Sequence, residues 1–182
     1  MDHHIECIRE DFLVYWNKRG TESSIQSFLY LLTTHGLHIM LLFRLSKIIY
    51  SIKIPVLSHI LKILFQLIWF LTTTFYGIWI DLSSDIGRGF YIGHFGGIII
   101  RGNFGDYCSI GQGVTVGSKG AGKSDGWPII GDNVYIGAGA KIIGSIKLGD
   151  GVIVGANAVV LEDVPKASLA VGIPAKFKKI KS

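Results

Sequence analysis

From Ile80 to Val160 the chain places a large apolar residue at every sixth position. Ile80, Ile86, Ile92, Ile98, Phe104, Ile110 and Val116 form one series; Ile130, Ile136, Ile142, Leu148, Val154 and Val160 form a second. Glycine follows that residue at 87, 93, 105, 111, 117, 131, 137, 149 and 155. A period of six is not helical, and simple strand alternation would not set an aliphatic at each sixth residue with glycine behind it. A parallel β-helix does: each hexad is one short strand and a tight turn. The aliphatic side chains stack inside, and glycine sits where the backbone turns or approaches its neighbour. Three hexads close one triangular coil, so the pattern predicts about four coils, each buried only by those above and below it. Glycine is abundant, 24 of 182 residues, but with four prolines and no every-third spacing collagen is excluded.

The register breaks once. Val116 and Ile130 are fourteen apart, so residues 118–128, Ser118-Lys119-Gly120 through Gly126-Trp127-Pro128, must leave the coil as a polar excursion. Loops projecting from a rigid scaffold are where function concentrates.

Residues 1–76 have a different, helical texture. Thr21 or Ser23 is placed to cap a helix from Ser24, and Pro55 to begin another, since proline is tolerated in a first turn. Ile63 to Ile80 contains no charged residue, which reaches the length of a membrane-crossing candidate. Three readings stand: a buried helix followed by the first strand, peripheral membrane contact, or a true span. The domain reading is therefore a very apolar helical segment (1–76), a β-helix (77–165) and a basic tail (166–182).

The net charge of +5 is spread thinly: residues 1–76 hold seven Lys/Arg against five Asp/Glu, and 77–182 eleven against eight. Without a phosphate-tracking stripe, nucleic acid is not an expected partner. Cys7 and Cys108 form no disulfide framework or zinc spacing, and no metal cluster is visible. With no cleavable signal peptide apparent, a cytoplasmic setting is expected, extending to the cytoplasmic face of the membrane.

The segments Ile86-Gly87-Arg88-Gly89-Phe90-Tyr91-Ile92-Gly93-His94, Ile136-Gly137-Ala138-Gly139-Ala140-Lys141-Ile142-Ile143-Gly144 and Val171-Gly172-Ile173-Pro174-Ala175-Lys176 resemble the hexapeptide acyltransferases, and more closely the serine acetyltransferases. The resemblance implies a left-handed parallel β-helix behind an N-terminal α-helical segment. It also implies acetyl transfer from acetyl-CoA to a hydroxyl, and a homotrimer with sites between subunits. His94 matches the family's general base, which removes the proton of the attacking hydroxyl. The remaining histidines read as solvated or core residues.

Several positions depart from that pattern. The family's Asp that orients the base is Trp79 here; Asp81 or Asp85 takes its place, or no carboxylate does, and Asp81 reads equally as a turn acid. The Asp before the base is Gly93, and the Arg that holds the serine carboxylate is Gly126, followed by Trp127. A free amino acid bound without partners for both charges would be costly. Trp127 suits a sugar ring, a loop anchor or a trimer contact, and Tyr91-Ile92-Gly93-His94-Phe95-Gly96-Gly97 resembles a subgroup linked to polysaccharide assembly. The expected acceptor is thus a glycan or glycolipid-type hydroxyl at the inner membrane, with Tyr91, Gly93 and Trp127 against it. Serine acetylation for cysteine synthesis, or a silent trimerisation scaffold, are the alternatives. The family resemblance places Gly137, Ala138, Gly139 and Ala156 along the CoA arm, with Lys141, Lys176 or Lys178 at its phosphates. Phe90, Tyr91, Phe95 and Tyr107 are expected on outer positions that subunit neighbours cover.

Overall fold

The structure, a computed structural model, describes residues 2–18, 24–120 and 126–180. Four helices come first: α1 (Asp2–Asn17), α2 (Ser24–Thr33), α3 (His35–Ser51) and α4 (Pro55–Tyr76). Pro55 opens α4 as its spacing requires, and Gly77 ends it in a left-handed conformation (φ 60°) that a side chain would resist. The cap expected from Thr21 or Ser23 lies outside the described residues.

Short strands follow at once: β1 (Ile78–Ile80), β2 (Tyr91–Ile92), β3 (Ile98–Ile100), β4 (Asn103–Phe104), β5 (Ser109–Ile110), β6 (Thr115–Gly117) and β7 (Ile129–Ile130). The stack continues with β8 (Tyr135–Ile136), β9 (Lys141–Ile143), β10 (Lys147–Leu148), β11 (Ile153–Val154) and β12 (Val159–Val160), and closes with β13 (Ser168–Gly172) and β14 (Ala175–Lys179). They stack as three parallel faces. One is β1-β3-β6-β9-β12; the second is β4-β7-β10, extended by bridges from Ile86 and to Val164; the third is β2-β5-β8-β11-β13. This makes five rungs per face rather than about four, because Val164 and Ala170 complete a last coil that lacks the hexad pattern. Residues 168–179 do not trail as a basic tail: β13 and β14 pair antiparallel, which sets Lys176, Lys178 and Lys179 on the final strand.

All thirteen hexad residues are buried and belong to one continuous core. Burying side chains of this size stabilises the fold by roughly 1.5–3 kcal/mol each. Phe90, expected outside, belongs to the same core and meets Phe104 edge-on at 5.1 Å between ring centroids. The register differs from strict period six in one coil. Ile80 pairs with Ile100, and Ile100 with Val116, while Ile98 pairs with Ile78. The corner before β3 is therefore two residues longer than its counterparts, and the next corner two residues shorter. The excursion behaves as its spacing requires, since Ile110 pairs with Ile136 across it; residues 121–125 lie outside the described residues.

The helices dock on the first coil through buried polar groups. Arg44, on α3, donates to the Asp11 carboxylate of α1 (Nε to Oδ2, 2.9 Å) and to the Ile86 and Gly87 carbonyls. Asp11 also accepts the Phe90 N–H at 2.9 Å. Burial pushes the Asp11 carboxyl up, opposed by Arg44 and the backbone amides of Phe90 and Gly89. Tyr15 accepts the Ile92 N–H at 2.8 Å and donates to the Ile92 carbonyl, so β2 has an α1 side chain as its neighbour. Gly36 is required where α3 crosses, since a Cβ there would stand 2.5 Å from the Ile92 carbonyl oxygen.

α4 is not the buried helix that its composition allowed. Only Ser58, Phe65 and Trp69 are buried, because α4 rests on α3 and β1 along a single stripe.

Coil stacking leaves measurable marks. A Cβ on Gly137 would meet the Ala156 backbone nitrogen at 2.6 Å, whereas one on Gly117 would meet nothing within 4 Å. Gly137→Ala is expected to destabilise the protein by about 1–3 kcal/mol, read as a drop of several degrees in Tm. Gly117→Ala should leave Tm nearly unchanged, and equal melting of the two variants would contradict this packing.

Candidate active site

The two extra residues fall in the corner 93–97, whose counterpart in the next coil is 111–113. The longer corner carries His94 and Phe95 out of the coil, and both are exposed. Gly113 N–H bonds the Gly96 carbonyl at 2.9 Å, which ties the protruding corner to the coil above.

His94 stands on a ridge between two hollows, with Tyr91 and Gly93 lining both. The first, about 310 Å³, is walled by Tyr30, Thr33, Thr34, His35, Gly36 and Phe95 from the helices and the corner. The second, about 220 Å³, runs along the coils past Ser109, Gly111, Gln112, Tyr135 and Ala138, with Lys18 at its side. The positive end of α3 opens on the first hollow: Thr34 makes no side-chain cap, its hydroxyl instead donating to the Tyr30 carbonyl at 2.7 Å. His35 is held by rings, edge-on to Tyr76 at 4.5 Å and tilted over Phe95 at 4.4 Å. Burial and a hydrogen bond with Tyr30 push the Tyr91 phenol up to about 12, so Tyr91 is neutral at physiological pH. The Lys18 ammonium lies 4.4 Å from the centre of the same ring.

Asp81 does not meet His94. Its carboxylate accepts the Ser83 N–H (2.8 Å) and hydroxyl (2.6 Å) and pairs with Arg101 Nε at 2.9 Å. Burial works against its charge, but the Ser83 groups, Arg101 and Lys47 prevail and hold the carboxyl below its ordinary value. Arg101 in turn lies 3.6 Å from the centre of the Trp127 ring. Asp81, Arg101 and Trp127 thus form one stack at the foot of the excursion, and one face of the indole is already covered. Among the described residues His94 has no hydrogen-bonded or ion-paired partner.

The cofactor candidates separate by role. Ala138 lines the second hollow. Gly137 lies beneath Ala156, and Gly139 (φ +74°) would set a Cβ 2.0 Å from Asn157 Oδ1, so both shape the corner rather than offer a surface. Ala156 is exposed one coil further along. Lys141 is committed to the coil, donating to the Gly113 carbonyl (2.6 Å) and the Thr115 hydroxyl (3.0 Å), whereas Lys176 is exposed on β14.

Gln112 went unnoticed in the sequence although the hexads contain the signal. His94, Gln112, Ala138 and Ala156 each stand two residues after a core aliphatic, so the register stacks them at one corner. Lys18, Tyr30 and Thr34 carried no comparable signal, because only the docking of the helices brings them to His94.

Residues 128–162 match the family model for the bacterial transferase hexapeptide (six repeats). The serine acetyltransferase of Helicobacter pylori strain J99 is 41% identical over 148 residues, which span 80% of this chain and 82% of the relative. The chain belongs to the serine acetyltransferase family. The Bacillus subtilis serine acetyltransferase is 39% identical over 152 residues, 80% of this chain and 65% of that one. Among solved structures, a serine acetyltransferase in complex with CoA superposes with a TM-score of 0.78 at 28% identity, covering 97% of this chain and 70% of its own. The Neisseria gonorrhoeae serine acetyltransferase in complex with serine gives 0.77 at 29%, covering 97% and 69%.

The β-helix is accordingly left-handed, and the protein is an acetyl-CoA-dependent acyltransferase rather than a silent scaffold. The expected polysaccharide acceptor is overturned by relatives named serine acetyltransferase at 36–41% identity over 80% of the chain. That expectation treated two absent charged partners as the absence of an amino-acid site. It also took Trp127 for an open platform, whereas the Arg101 guanidinium covers one face of its ring.

Because Asp81 pairs with Arg101, Asp81→Asn is expected to lower kcat by less than about tenfold, against the 10²–10⁴-fold loss of a general base. It should leave the acid limb of the pH–rate profile in place; a displaced limb would show that Asp81 acts on the base.

Proposed function

We propose that this protein transfers the acetyl group of acetyl-CoA to the hydroxyl of L-serine, with His94 as general base. The relationship to the Helicobacter serine acetyltransferase, which spans most of both chains, carries the reading. The two hollows meeting at His94 give it a geometry. The hollow beside the helices takes the amino acid, and the coil-side groove past Gln112 and Ala138 takes the pantetheine arm, where small residues allow main-chain groups to approach. Lys176 is a cation available for the phosphates.

In this arrangement the serine hydroxyl gives its proton to His94 as its oxygen bonds to the thioester carbonyl carbon. The carbon–sulfur bond then breaks, and the proton on His94 passes to the departing sulfur. The products are O-acetylserine and CoA. The serine carboxylate lies toward the free N-terminal end of α3, which takes over from the absent arginine, and the neutral Tyr91 hydroxyl is an acceptor for the ammonium. Copies of the chain associate as a trimer, which covers part of the apolar outer surface of the coils.

Release of CoA by purified protein, with L-serine or sugar hydroxyls as separate acceptors, tests the reading. Serine should be turned over, and His94→Ala should lower kcat by 10²–10⁴-fold; inert serine would sink the proposal. Thr34→Asp is a sharper probe of the α3 end. A carboxylate there caps the helix and stabilises it by up to about 1 kcal/mol, yet repels the serine carboxylate. KM for serine should rise about tenfold or more with KM for acetyl-CoA unchanged; an unchanged serine KM would place the carboxylate elsewhere.

A further inference from the structure

The outer surface of α4 takes no part in the acetyl-transfer site. Its inward stripe, Ser58, Phe65 and Trp69 flanked by half-buried Leu61, Lys62, Thr72, Thr73 and Tyr76, packs toward the body, and the opposite face is mostly apolar and exposed, with His59, Gln66 and Thr74 as its polar residues. Val56 is 74% exposed, Ile63 70%, Phe70 65% and Phe75 80%, with Leu57, Ile60, Leu64, Leu67, Ile68 and Leu71 between them. At about 1.5 Å per residue the helix is roughly 33 Å long. Beside it Trp79 emerges from β1 and closes a shallow hollow of about 360 Å³ with Trp69, Phe70 and Thr73.

No Asp or Glu occurs between Glu22 and Asp81, so the charge of this stretch has one sign. Lys53 is exposed in the turn before α4; Lys62, the sole Lys, Arg, Asp or Glu of α4, is half-exposed at the flank of the helix, its ammonium 5.3 Å from the centre of the Tyr50 ring. Helix α4 is long and apolar enough to cross a bilayer. A span, however, would have to strip Phe65 and Trp69 from the body they pack on.

We propose that α4 lies flat in the surface of an anionic bilayer. Its apolar residues and Trp79 enter the acyl boundary, and Lys53 and Lys62 meet the headgroups. An indole at such a boundary keeps its apolar ring in the lipid and its N–H among polar groups. Basic residues beside an apolar face, with no acid among them, complement a negative lipid surface. A second copy would cover the same face, but it would bring further lysines and no carboxylate of the stretch between Glu22 and Asp81 to answer them.

Flotation of the full chain with vesicles tests this. Vesicles of phosphatidylcholine alone are compared with vesicles containing about one-third phosphatidylglycerol. The protein should float with the anionic vesicles, at least about tenfold more strongly than with the neutral ones, and added salt should release it. Ile63→Glu/Phe70→Glu should remain unbound while serine-dependent CoA release is unchanged. Lys53→Gln/Lys62→Gln, which leaves the apolar face intact, should bind about tenfold more weakly. Failure of the wild type to float with either vesicle overturns the proposal, and equal flotation with both overturns its anionic part. A detergent-free mass by light scattering that Ile63→Glu/Phe70→Glu halves would assign the face to a second copy instead.

Discussion

The Arg44–Asp11 pair is the constraint on which the rest of this molecule rests. A stacked-coil fold has an open end, where the first coil has a neighbour on one side only. Here that end holds Ile86, Gly87 and Phe90, whose backbone groups are satisfied by side chains reaching from α1 and α3. Neither charge is tolerable alone in such surroundings, and breaking a buried pair from one side typically costs 3–5 kcal/mol. Helices and coils are therefore coupled: the guanidinium is satisfied only when α1, α3 and the first coil are assembled. Because His94 belongs to that same coil, the helical wall of the first hollow and the imidazole it faces are set by one assembly step.

The coils supply a groove and the helices supply a pocket, and the chemistry falls where they join. A β-helix alone offers regular, shallow corners of three residues, as at 111–113. Two added residues lift His94 clear, and α3, crossing at Gly36, makes the lifted residue one wall of an enclosure. In the proposed reaction such an enclosure orients the hydroxyl against an otherwise exposed imidazole.

The coil architecture was legible because a repeat states its own periodicity: thirteen residues spaced by six are thirteen interior residues. The excursion at 118–128 was legible for the same reason. What the repeat conceals is compensation, and Ile98 stands on the six-residue grid although Ile100 is the partner of Ile80. Phe90 was misplaced although the repeat carries its signal: it stands two residues before Ile92, as buried Cys108, Val134 and Val152 stand before Ile110, Ile136 and Val154. The partnership of Asp81 with Arg101 depends on where β3 ends relative to the neighbouring coil, which local sequence does not encode. The acceptor was misjudged for a related reason: substitution of Asp by Gly93 and of Arg by Gly126 is visible in the chain, while the start of α3 reaches the hollow beside His94 only through tertiary docking.

The paired change in corner length has a consequence for how this enzyme can vary. Between Ile92 and Phe104 the path length is conserved although its division between the two corners is not, so every coil beyond Phe104 receives its chain in phase. An unbalanced insertion near His94 would have to leave the coil as a loop, as the chain does between Val116 and Ile130, to keep the inward and outward faces of all that follow. A balanced exchange across β3 leaves them untouched. The corner that carries His94 is in this sense mechanically insulated, free to lengthen or shorten against its neighbour while the solenoid above it keeps time.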